Sequence, residues 1–168
     1  AQLEDIKKQI QNDTLNSSIV YNNLELARSH WERVRDEVSP ELAAIAKTLD
    51  DEQVVTLFAA LEKDNKEEEE ERQEALEKSE AQRLKDRIER IQETIRERIG
   101  DLSKEQKQIV STYAQQFIST GDAWITYRRN IQNAARKLFV SRKQNERFEQ
   151  ELVVLMQNPD NYKSDVYK

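Results

Sequence analysis

The chemistry open to this chain is set first by the reactive side chains it lacks. Its 168 residues include one histidine, His30, and no cysteine, which removes disulfides, thiolate nucleophiles and every cysteine-based metal site. A di-iron helical bundle needs two Glu-x-x-His pairs on facing helices, whereas the residue three before His30 is Ala27. A Ser-His-Asp triad would have to use the same histidine, whose neighbour Trp31 lies on a helical seam, so His30 reads as structural or surface. The two glycines, Gly100 and Gly121, are isolated and cannot build a phosphate-cradling loop. Carboxylates are plentiful but sit on polar helix faces, where solvent is expected to leave their acidity ordinary. The expectation is a non-enzymatic chain with no catalytic residue, no cofactor and no metal site.

What remains is charge. Between Trp124 and Arg147 the basic residues Arg128, Arg129, Arg136, Lys137, Arg142, Lys143 and Arg147 face only Glu146, a net of +6. From Glu62 to Glu80, ten acidic and four basic residues give a net of −6. The two segments can pair within the molecule, pair between molecules, or stay apart. The acidic run reads chiefly as a solvated helix face, and the basic one as a helix end favoured by the dipole or as a phosphate or anionic-lipid site. Trp124 and Arg128, one helical turn apart on a common stripe, are the candidate partner-binding pair. In one reading they belong to a cleft that receives an acidic group from a partner. In the other, structural reading, Arg128 snorkels to the rim of a wide bundle. Because a guanidinium buried alone is very costly, it is expected to stack on Trp124 and meet a carboxylate of another helix. The overall net charge of −6 argues against general nucleic-acid binding, which needs a surplus of cations to displace counterions.

These side chains must be positioned by helices. Two glycines and two prolines in the whole chain leave too few turn formers for an all-β fold. With charged and hydrophobic residues at 36% each, the core has to come from narrow apolar stripes on long amphipathic helices. The expected fold is all-α: an elongated bundle of five or six helices including one very long, partly solvated helix. It is read as a single domain over residues 1–168, with 1–18 a loosely packed N-terminal segment and 158–168 a C-terminal tail.

The seam Val20, Leu24, Ala27, Trp31, Val34, Val38 predicts a helix that stops near Ser39-Pro40, followed by a short helix carrying Leu42 and Ile45. Asp50 and Gln53 form a capping-box signal, with Leu49 and Val54 placed for a hydrophobic staple. From there helix formers run to Gly100, predicting one helix over residues 51–99. Ser103 and Gln106 repeat the start signal. The stripe Val110, Tyr113, Phe117, Gly121, Trp124, Arg128, Ile131, Ala135, Leu138 then holds one phase throughout, which places Gly121 inside a helix where another backbone can approach. Phe148, Leu152 and Leu155 mark a last helix. No apolar run approaches the length of a membrane span.

Gly100-Asp101-Leu102-Ser103-x-x-Gln106, Trp124-x-x-x-Arg128, Arg142, Phe148, Leu152 and Tyr167 resemble the C-terminal half of an uncharacterised family of gammaproteobacterial lipoproteins. Trp31, Pro40-x-Leu42, Leu49-x-x-x-Gln53, Asn65 and Arg90 extend the resemblance upstream. The resemblance implies a location rather than a mechanism: the periplasm, with a membrane tether through a lipidated cysteine ahead of the helical domain. With no catalytic residues and a net negative charge, the expected function is a non-enzymatic module that contacts another protein or the envelope, without nucleic acid, with membrane contact only through that anchor and the oligomeric state left open. The doubled Leu-x-x-x-Gln signal also resembles the Leu-Thr-x-x-Gln repeat of Spy-type periplasmic chaperones, with Asp50 and Ser103 in place of threonine. Helix capping accounts for both copies as well. A chaperone-like binder of unfolded clients is therefore the alternative function.

Overall fold

The computed structural model describes residues 17–117 and 119–165. Among them the chain is all-α, as its composition predicts. The helices are α1 (Ser17–Thr48), α2 (Asp51–Glu77), α3 (Glu80–Ile99), α4 (Lys104–Ala114), α5 (Gly121–Ser141) and α6 (Phe148–Gln157), followed by a 3-10 turn at Pro159–Tyr162. All but the end of the N-terminal segment expected over 1–18, with its apolar residues Leu3, Ile6 and Ile10, and the closing Tyr167 lie outside the described residues.

Three helix boundaries differ from the sequence expectation. α1 does not stop at Ser39-Pro40 but runs through it. An interior proline removes the N–H that would bond the carbonyl four residues back, here that of Asp36. Gln157 of α6 supplies a substitute, its side-chain amide donating to the Asp36 carbonyl at 3.3 Å. The Ser39 hydroxyl meanwhile donates to the Arg35 carbonyl. Second, the helix expected over 51–99 is two helices. Lys78 turns extended at ψ 150°, and the Ser79 hydroxyl accepts from the Gln82 N–H at 3.2 Å to start α3. Third, the stripe from Val110 to Leu138 spans a break between α4 and α5, and Gly121 begins α5 rather than lying inside a helix. What approaches Gly121 is a side chain: a Cβ there would stand 3.3 Å from Nε of Arg72.

Other start and stop signals hold. Both capping boxes form, Asp50 with Gln53 and Ser103 with Gln106. Gly100 ends α3 at φ +93°, a conformation that favours glycine, and its N–H closes on the Arg96 carbonyl at 2.9 Å.

The chain divides into two compact units. The first comprises Ala1–Leu49 and Lys137–Pro159. In it α1 approaches α6 closely through small residues, Ser39 and Ala43, both buried beneath the α6 side. Phe148, Leu152 and Leu155 are buried as the sequence predicts, and Phe139 meets Phe148 edge to face at 5.3 Å between ring centres. Arg142 is also buried, its guanidinium donating to the carbonyls of Leu49 and Phe139. The sequence seam on α1 is not part of this core: Leu24, Trp31 and Val34 are 63%, 69% and 51% exposed. The face that packs is the one carrying Ser39 and Ala43, rotated away from the seam. His30 is exposed.

The second unit comprises Asp50–Arg136 and Asp160–Lys168. Among its described residues Phe58, Asn65 and Ala114 are buried. α3 and α4 approach closely across the Gly100 to Ser103 turn, and the Arg87 guanidinium donates to the carbonyls of Ala114, the last residue of α4, and of Phe117 just after it. Arg136 caps the other end of the unit, its guanidinium 5.1 Å from the centre of the Phe58 ring.

A candidate binding cleft beside an internal charge ladder

The acidic segment and the front of the basic segment pair with each other inside the second unit. Arg72 of α2 grips Asp122 of α5 with two parallel bonds, 2.8 and 3.1 Å. One turn on, Trp124 donates its indole N–H to Glu68 at 2.9 Å, while Arg128 bonds the other oxygen of the same carboxylate. Asp64 lies 3.8 Å from Arg128. Arg129 then bridges Glu69 and Glu62, with bonds of 2.9 and 3.0 Å. Asn65 donates to Gln132 at 2.5 Å from a buried position. As the α5 number rises the α2 partner falls, so the two helices run antiparallel. The ladder covers nearly three turns, about 15 Å at 1.5 Å per residue.

These contacts shift acidity in the directions that pairing dictates. The bond from Arg129 holds the carboxyls of Glu62 and Glu69 below the usual carboxylate range, against a smaller opposing effect of desolvation. Arg129 itself is raised, first by Glu69 and then by Glu62. Arg72 lowers Asp122 and is raised by it. The expectation of ordinary acidity on polar faces therefore fails for these carboxylates, because their faces meet a row of guanidinium groups rather than water alone.

Trp124 and Arg128, singled out from spacing, are thus brought together on one carboxylate. They do not share one surroundings. Trp124, whose ring also tilts against Tyr127 at 5.6 Å, is 38% exposed and lines an open cleft of about 770 Å³. Arg128 is turned to Glu68 and Asp64 and is not among the lining residues. The cleft is walled by the C-terminal half of α2, by α3, and by the link into α5. Its cations include three that spacing reasoning passed over, Arg83, Arg87 and Arg90 of α3. Their spacing of four and three was legible as one helix face, next to the apolar stripe Leu84, Ile88, Ile91.

Among the described residues no cluster of three His, Asp or Glu side chains could hold a metal ion, and no helix is long and apolar enough to cross a membrane. No curated protein and no solved structure matches the chain. A family model does match, over residues 1–168; the chain belongs to the family of unknown function DUF6279.

Proposed function

We propose that this protein is a non-catalytic binding module of the cell envelope, and that it engages a partner protein at the cleft beside Trp124. The observation that carries this reading is the indole itself. It is part-exposed in an open cleft yet held in place by Glu68, which Arg128 fixes in turn. A large, rigid aromatic surface with a fixed N–H is what anchors protein interfaces at low entropic cost. Arg128 is then a positioning residue and Trp124 the contact. The test is site-specific photo-crosslinking in envelope extract. A crosslinker at Ile125, in the cleft wall, should yield a discrete adduct that Trp124→Ala abolishes. A crosslinker at Glu74, on the exposed side of α2, should not. Equal adducts from both positions, or none, would overturn the reading.

The periplasmic, lipid-anchored location rests on the resemblance to gammaproteobacterial lipoproteins alone. Labelling of the full-length protein by a radioactive fatty acid, with recovery in the membrane fraction, checks it. A second reading is favoured by a different observation: the exposed apolar row on α1 from Leu24 to Ile45 suits a chaperone-like binder of unfolded clients. Light scattering of an aggregating client decides this, since absence of suppression at equal mass removes it.

A further inference from the structure

The cleft's charge does not cancel, and the remainder specifies a ligand. Glu68 is bound by Arg128, Lys78 is paired with Asp86 at 2.7 Å, and Arg72 with Asp122. What is left on the lining is Glu71 against Arg83, Arg87 and Arg90. Among the described residues Arg83 donates only to the Leu76 carbonyl at 3.1 Å, and Arg87 only to the carbonyls of Ala114 and Phe117. These bonds satisfy carbonyls in the last turn of α2, at the end of α4 and in the segment after it, but neutral acceptors leave the guanidinium charges uncompensated. The Arg90 side chain has no hydrogen-bond or ionic partner among the described residues. Each guanidinium carries five donors, so all three retain free N–H groups.

Resting on the reading of the cleft as a partner site, we propose that its ligand is an acidic helical segment of the partner, presenting carboxylates on successive turns to Arg83, Arg87 and Arg90 while it packs on Trp124. The row spans about 10 Å along α3, and the carboxylates of a facing helix repeat at the same spacing. The molecule already uses this arrangement once, where α2 sets Glu62, Glu68 and Glu69 against Arg128 and Arg129 of α5.

The test uses the full chain with Trp31→Phe, so that emission reports Trp124. The probe is an alanine-based helical peptide carrying three glutamates spaced as Arg83, Arg87 and Arg90 are. It should change Trp124 emission, with an affinity that falls as salt rises. Arg90→Gln, which removes a partnerless side chain and should leave the melting temperature unchanged, should weaken binding about fivefold. Adding Arg83→Gln should weaken it further. The same peptide with glutamines should not bind. If the glutamine peptide binds equally well and still moves Trp124, the cleft stands as a binding site and the acidic specificity is wrong. If the glutamate peptide leaves Trp124 unmoved, or Arg90→Gln changes nothing, the proposal fails. Displacement of the peptide by millimolar inorganic phosphate, or by vesicles of anionic lipid at equal headgroup concentration, would also overturn it in favour of a phosphate site.

Discussion

Arg128 shows what spacing can and cannot disclose. That an inward guanidinium requires a carboxylate from another helix follows from the cost of stranding it, and Glu68 meets that requirement. Which carboxylate it is depends on the register between α2 and α5, and local sequence holds no information about that register. Nor does it show that Trp124 would share Glu68. The pair is part-exposed, Arg128 at 26% and Glu68 at 34% of their side chains, so the full penalty of breaking a buried bridge does not apply. Arg128→Met should cost about 1–2 kcal/mol in chemical denaturation, the range of a charge-assisted bond discounted for solvent. It should also shift Trp124 emission, because Glu68 loses its second tether. A stability change within error, with emission unmoved, would show that water already screens the pair. Gly100 is a simpler case: at φ +93° a side chain is strained whatever the room, and Gly100→Ala should cost about 1–3 kcal/mol with nothing nearby to clash. A neutral result there would mean that the turn relaxes to negative φ.

At the scale of elements, starts were easier to read than stops. Capping boxes are local, four-residue devices, so Asp50-x-x-Gln53 and Ser103-x-x-Gln106 could be recognised outright. Ser79-x-x-Gln82 carries the same spelling and starts α3, but it sits in an unbroken run of helix formers with no glycine or proline to announce an end. The opposite error occurred at Pro40. A proline in a helix costs roughly 3 kcal/mol where nothing compensates, and the compensation comes from Gln157, far away in sequence. A double-mutant cycle tests this account. Gln157→Ala alone should cost about 0.5–1.5 kcal/mol, the net value of a hydrogen bond. In a Pro40→Ala background, where the Asp36 carbonyl regains its helical donor, the same change should cost close to nothing. Additive effects would mean that the Gln157 contact stabilises the docking of α6 on α1 and not the backbone at Pro40. The exposed α1 seam was misjudged for a related reason: periodicity identifies an apolar face, whereas small residues such as Ser39 and Ala43 decide which face a neighbour can approach.

For the whole molecule, the net charge of −6 and the local pairing of acids act in opposite directions as pH falls. Protonating carboxylates relieves a diffuse excess of negative charge, but that excess is spread over the surface and screened beyond about 8 Å in physiological salt. It also removes contacts of about 3 Å, and these should dominate. Glu62, Glu69 and Asp122 in the ladder, with Asp86 held down by Lys78 and then Gln82, all ionise more readily in the folded chain than in the ordinary state. In the unfolded chain glutamate and aspartate titrate near pH 4.3 and 3.9. A group depressed on folding gives its full stabilisation above the unfolded value and loses it as pH falls through the folded one. The urea midpoint should therefore stay nearly level from about pH 7 to 5 and fall from about pH 5 to 3. Because Arg129 holds two of these carboxylates, the double variant Glu62→Gln, Glu69→Gln should be less stable at neutral pH and show a flatter decline in acid. Parallel curves for the two proteins would place the acid sensitivity outside the ladder. A midpoint that rises steadily to pH 3 would show that relief of net charge outweighs the pairing of α2 with α5.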